Sequence, residues 1–308
     1  MLEENDRNLC DSLEKASQTQ SSLISPYNFS KNHRQLQFAA IFCGVEGESP
    51  KDSYLRAQRL LGQYTLSLSS EGLLPVRNSL ELDEFLRSDR NGLLLSMEGS
   101  TGLLGDPAIL EKFYNAGLRV MGLCWTHNEL AKSSRLLEGE KDTGLSAQGR
   151  KMVEAGNRLG MLFDVSHLSD RSFWDLSALS KKPILATHSD FRALCSCNRN
   201  LTDEMAQKIV RQDGMIGLNL CPKFLSDREE RQTLFGFFDH LEYGLAHFGE
   251  DHLGFGLDID GIDRYPEPLT PDSSLHDRIA EFLLKHYPQR VVEKISGSNF
   301  ISFLKKYL

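Results

Sequence analysis

Apolar strand-length runs alternating with helix-length segments predict an α/β protein on a parallel sheet, and their number predicts a (β/α)8 barrel of TIM type. Three observations carry this. Seven such runs recur, near residues 37, 93, 119, 162, 184, 215 and 253. They are apolar throughout rather than alternating, as strands covered on both faces are. Several end in Glu, His or Asp, and the C-terminal strand ends are where such a barrel holds its chemistry. Seven is one short of closure, so the missing strand is assigned to residues 1–34, as a degraded or absent first strand. The 308 residues contain no repeat and no Pro/Gly linker, so one domain over residues 1–308 is expected.

In order, Leu36–Cys43 is the first continuous apolar run, and Gly44–Pro50 breaks it. Asp52–Leu68 has helical spacing, with Leu55, Leu60, Leu61 and Tyr64 expected on the buried side. Ser79–Leu86 reads as a short helix and Gly92–Met97 as a strand ending at Glu98. Asp106 and Pro107 open a helix to Ala116. Leu118–Cys124 is a strand that runs into Trp125-Thr126-His127, followed by a polar loop over 131–144. Ser146–Leu159 is an amphipathic helix closed by Gly160.

Gly160–Asn200 is the stretch with the most chemistry. Met161–Val165 and Pro183–Thr187 each end at a histidine, His167 and His188, with the helical Asp170–Leu179 between them. Neighbouring parallel strand ends lie about 5 Å apart, so the two imidazoles can share a metal ion. Thr202–Arg211 (helix), Met215–Leu220 (strand), Arg228–Phe248 (long helix) and His252–Leu257 (strand) follow. Three helical segments, near 273–286, 288–295 and 298–307, close the chain.

Composition narrows the function. A net charge of −8 argues against a nucleic-acid binder and against adhesion to anionic membranes. No run of eighteen apolar residues exists, and MLEENDRNLCDSLEK is too polar for a signal peptide. The six cysteines include a C-x-C at Cys195 and Cys197 but no C-x-x-C, and are read as reduced thiols of a cytoplasmic protein. No G-x-S-x-G elbow, Walker loop or strand-following G-x-G-x-x-G is present.

The strand ends supply Glu98, His127, His167, His188 and Asp258, with Asp260 close by and Arg199 on the loop after His188. Each has a plainer alternative. Glu98 can cap the next helix, His127 can pack beside Trp125, Asp258 can open an Asp-x-Asp-Gly turn, and Arg199 can pair with Asp203 at the surface. Together they form a set of carboxylates and imidazoles suited to Zn²⁺ or a similar ion.

The motifs Ser96-Met97-Glu98-Gly99, Trp125-Thr126-His127, Asp164-Val165-Ser166-His167, Thr187-His188-Ser189, Asn198-Arg199-Asn200-Leu201-Thr202-Asp203, Gly256-Leu257-Asp258-Ile259-Asp260-Gly261 and Gly297-Ser298-Asn299-Phe300 resemble the renal (membrane) dipeptidase family, the zinc dipeptidases of peptidase family M19. The resemblance runs from about Leu36 to the end. It implies a (β/α)8 metal-dependent hydrolase that cleaves dipeptides with two zinc ions. Carried over, Glu98 bridges both metals, His167 and His188 bind one of them, His127 polarises the scissile carbonyl, Arg199 pairs with the substrate carboxylate, and Asp258 shuttles the proton to the leaving amine. Family members begin with His-x-Asp on the first strand. Here Asp11 fits the Asp, but Leu9 stands in place of the His. One firm zinc site (Glu98, His167, His188) and a second that depends on Asp11 are therefore expected. A small dipeptide-like substrate and a homodimer fit the resemblance. The alternative is an impaired or inactive dipeptidase-like barrel that binds a small ligand or a single metal ion.

Overall fold

The computed structural model describes residues 34–45, 47–69, 73–269 and 275–308. Leu9 and Asp11, and with them the expected first strand, lie outside the described residues. The chain forms two compact units, Arg34–Leu185 with Lys305–Leu308, and Ala186–Leu304.

The first unit contains β1 (Leu36–Phe42), α1 (Pro50–Ser69), β2 (Leu73–Pro75), α2 (Ser79–Arg87), β3 (Asn91–Glu98), α3 (Pro107–Ala116), β4 (Leu118–Gly122), α4 (Ala147–Leu159), β5 (Leu162–Asp164), α5 (Asp170–Leu179) and the start of β6 (Leu185–Ala186). Every strand pair is parallel. One edge of β3 carries β1, from Leu36↔Gly92 to Phe42↔Glu98. Its other edge is shared by β2, paired at Asn91 to Leu93, and β4, paired at Leu95 to Glu98. Pairing then continues through β5 to Leu185, so Phe42, Glu98, Gly122, Asp164 and Leu185 form one row across the sheet. That row aligns the strand ends from which the functional residues project.

Strand β2 corrects the expected strand list. Leu73–Pro75 is three residues long and ends in proline, too short for a periodicity signal. The burial of α1 is a second correction. Its buried residues are Ser53, Ala57, Tyr64 and Ser67, whereas Leu55 is exposed. A Cβ added at Gly102 would meet Ser53 O at 2.8 Å and Ala57 Cβ at 2.9 Å, so this face must be lined with small residues. The other helix starts follow their caps: Asn78, Asp106, Ser146 and Ser169 each accept a backbone N–H of the first turn. Leu94, Val120, Met121 and Phe163 are fully buried, each contributing about 1.5–3 kcal/mol through burial.

The second unit contains α6 (Asp203–Arg211), β7 (Met215–Leu218), α7 (Pro222–Leu225), α8 (Leu234–Phe248), β8 (Leu253–Phe255), α9 (Leu275–His286), α10 (Gln289–Glu293) and most of α11 (Asn299–Tyr307), whose last turn belongs to the first unit. Strands β7 and β8 pair in parallel from Ile216↔Leu253 to Leu218↔Phe255. The long helix expected from Arg228 starts only at Leu234. Thr233 is extended (φ −124°, ψ 176°) and bridges to Glu267, which confines Glu229–Arg231 to a separate 3₁₀ turn. The short α7 was not expected. No helix among the described residues is long and apolar enough to cross a membrane.

His240 of α8 is fully buried beside the ring of Phe191. Phe191 N donates to its Nδ1 (3.2 Å) and its Nε2 donates to Leu225 O (3.0 Å), so the ring is the neutral Nε2–H tautomer. Burial pushes its pKa from 6.5 down to about 4. The unfolded chain takes up this proton at a higher pH than the folded one. The stability contributed by the neutral ring is therefore complete above about pH 6.5 and is lost as pH falls towards 4, a loss on the order of 3 kcal/mol. Urea unfolding at pH 7 and pH 4.5 should show a drop that is smaller in His240→Gln than in the wild type.

Candidate metal and substrate site

In the first unit the strand row brings two predicted residues together. Glu98 is the last residue of β3, and its Oε1 lies 2.8 Å from Nε2 of the buried His167, three residues beyond the end of β5. Glu98 thus faces an imidazole and does not cap a helix. His167 holds φ at +72°, a left-handed conformation costing about 1–3 kcal/mol that persists only where its surroundings fix it. Those surroundings are visible. Asp164 Oδ1 accepts from Ser166 N (2.9 Å), and Ser134 N donates to His167 O (2.7 Å).

Gly99 follows Glu98 at φ +81°, and a Cβ there would lie 2.1 Å from Cys43 O. The same backbone stretch pairs Cys43 N with Glu98 O at 2.9 Å. Gly99→Ala should therefore destabilise the fold by at least about 2 kcal/mol, read as a lowered midpoint in chemical denaturation.

His127 is not packed beside Trp125. Its side chain is 37% exposed, with Nε2 4.0 Å from Glu140 Oε1. Lys132 Nζ binds that carboxylate at 2.6 Å and holds it below its usual range. Trp125 is the packed residue, edge-on to Phe42 (5.1 Å) and 6.2 Å from the His167 ring.

In the second unit His188 Nδ1 lies 2.7 Å from its neighbour's Thr187 Oγ1. Arg199 is buried, donating to Ser189 Oγ and to His188 O at 2.7 Å each, with its guanidinium over Phe224. The surface pairing with Asp203 does not form; that carboxylate accepts from Tyr243 Oη at 2.8 Å. The Asp258 turn does form, with φ +55° at Asp258, φ +66° at Asp260 and Gly261 N donating to Asp258 O (3.0 Å). It leaves the Asp258 carboxylate available to Asn219.

Asn219, fully buried just past β7, was not foreseen. Its Oδ1 accepts from Cys221 N (2.6 Å), so Nδ2 is the end that reaches Asp258 Oδ2 (3.3 Å) and His188 O (3.5 Å). His188 O is thus the shared acceptor that ties Arg199 and Asn219 into one network. Asp190 lies below it, accepting from Asn219 N (3.1 Å), and burial pushes its carboxyl well above the usual range. An asparagine inside the apolar run MIGLNL was the signal for this network in the sequence.

A family model for membrane dipeptidases (peptidase family M19) matches residues 5–307. "Dipeptidase tcpJ" of Claviceps purpurea is 32% identical over 227 residues, covering 73% of this chain and 53% of the relative. An "Uncharacterized protein in pqqA 5'region" of Klebsiella pneumoniae is 33% identical over 220 residues, covering 69% of this chain and 81% of the relative. The chain therefore spans about half the length of the fungal relative (53%). A crystal structure of the M19 metallopeptidase "dipeptidase AC" matches with a TM-score of 0.85 at 23% identity, covering 97% of this chain and 96% of that one. A Rhodobacter sphaeroides metallopeptidase liganded with a phosphinate mimic of L-Ala-D-Ala matches with a TM-score of 0.84 at 21% identity, covering 97% of both. These likenesses show the α/β, TIM-like fold.

Proposed function

The chain belongs to the membrane dipeptidase family, peptidase family M19, and on that premise we propose that it is a metal-dependent dipeptidase in which residues 1–308 act as one catalytic domain. The observation that carries this is the meeting of Glu98 Oε1 and His167 Nε2 at 2.8 Å from two strand ends. Two ligands of one tetrahedral zinc stand about 3.3 Å apart when each bond is near 2.0 Å, so the two atoms need part by only about half an ångström to hold a small borderline cation. On the family resemblance, Glu98, His167 and His188 would be the carboxylate and imidazole donors of this first site. His188 lies three residues past Leu185, as His167 lies three past its pairing partner Asp164, which supports a common role. The contact of Nδ1 with Thr187 makes Nε2 the ligand nitrogen of His188 and orients its ring.

A bound zinc supplies a water of lowered pKa near neutral pH and a Lewis acid for the carbonyl. The chain's own groups do the rest. His127 donates to the scissile oxygen as negative charge develops there. Arg199 holds the substrate's terminal carboxylate, a task for which a guanidinium fork is shaped. Asp258 takes the proton from the attacking water and returns it to the leaving amine. Asn219 positions the Asp258 carboxylate through Nδ2.

Leu9 in place of a family histidine supports one zinc per chain, with Asp11 too weak alone to hold a second. Cys43, Cys124, Cys195, Cys197 and Cys221 are free thiols, which supports a reducing, cytoplasmic setting. The buried Arg199 and the supported Asp258 favour an enzyme over a ligand-binding relative. Dipeptide hydrolysis by the purified chain with added Zn²⁺ tests the reading. Turnover that chelation abolishes supports it, and no turnover under any divalent metal refutes it.

A further inference from the structure

Given the dipeptidase reading, we propose that Arg135 selects for dipeptides that carry a side-chain carboxylate. The residue stands on the loop that clasps His167. Ser134 N donates to His167 O at 2.7 Å, Ser133 bridges to Leu168, and Arg135 N bonds back to Ser133 Oγ at 3.2 Å. The guanidinium carbon lies 4.0 Å from the centre of the Trp125 ring, which itself lies 6.2 Å from the His167 ring. The cation is therefore separated from a metal-binding imidazole by no more than those two distances added together.

The platform beneath it is fixed. Phe42 packs edge-on against Trp125 at 5.1 Å, so the indole holds the planar guanidinium ready to form paired hydrogen bonds. Charge balance points the same way. Lys132 is bound to Glu140 at 2.6 Å, Arg150 to Asp175 at 2.8 Å, and Asp142 accepts from Ser169 Oγ (2.8 Å) and Arg171 N (2.9 Å). Among the described residues no carboxylate pairs with Arg135. Its positive charge beside the reacting centre thus calls for an anion from the substrate. A side-chain carboxylate of Asp or Glu sits roughly 4–6 Å from its own peptide carbonyl, a reach that falls within the upper bound set by those two distances. The terminal carboxylate is assigned to Arg199, so this is a second anionic contact. The side chain is exposed, so the preference is modest and salt-sensitive.

The test compares kcat/KM of the zinc-loaded enzyme for Ala-Asp against Ala-Asn, and for Asp-Ala against Asn-Ala. At low salt one acidic member should be favoured about tenfold. Arg135→Gln should bring that ratio to about one, and Arg135→Glu should turn the preference towards a lysine-containing dipeptide. Calorimetric binding of phosphinate dipeptide mimics with a carboxylate or a carboxamide side chain gives the same comparison without turnover. Equal binding of the two mimics, binding of neither, or a preference that survives in Arg135→Gln overturns the inference. Selective binding without hydrolysis sustains it and instead removes the dipeptidase reading.

Discussion

Glu98→Gln should lower kcat/KM for dipeptide hydrolysis on the order of a thousandfold or more, with little change in folding. The substitution keeps the shape of the side chain and removes its charge. A metal's electrostatic contribution to such a transition state is several kcal/mol, and each 1.4 kcal/mol is tenfold in rate. Glu98 ends β3 on a short contact with His167 and is not in the apolar core, so the loss should fall on metal affinity and rate rather than on stability. Activity and metal content measured on the same sample separate these. A Glu98→Gln protein that keeps both its metal and its rate would remove Glu98 from the mechanism.

Arg199→Met should lower kcat/KM by about a hundredfold to a thousandfold, chiefly by raising KM. Removing one partner of a buried charge-assisted pair costs about 2–5 kcal/mol. Methionine fills much of the same volume but cannot donate, so the Ser189 hydroxyl and the His188 carbonyl lose their 2.7 Å partner as well. Arg199→Lys should rescue little, because one ammonium cannot span both acceptors and still grip a carboxylate in two places. The measurement is KM for an ordinary dipeptide against that for its C-terminal amide. The wild type should discriminate strongly between them, and the methionine variant weakly.

The order of strands and helices was legible in the sequence because buried parallel strands are continuous apolar runs with clear breaks. Leu73–Pro75 escaped because three residues carry no period, and α1 was misread because contact with Gly102 demands Ser53 and Ala57 where a leucine stripe was expected. The positions of Glu98, His167 and His188 at or just past strand ends were legible. Whether Arg199 was a surface residue or a buried one was not, since Asp203 stands four residues away as an apparent partner; only the fold shows Tyr243 taking that carboxylate. Asn219 was hidden for a different reason. Its role depends on His188 and Asp258, which are 31 and 39 residues away along the chain. Arg135 likewise gains its meaning only from Trp125 and the loop bonded to His167.

The most direct test of this account is metal content after equilibrium dialysis against buffered Zn²⁺, for the wild type, His167→Ala and His188→Ala. The account predicts one tightly held zinc per wild-type chain and none in either variant. A wild-type chain that binds no divalent metal, or a His167→Ala chain that binds it undiminished, would contradict it.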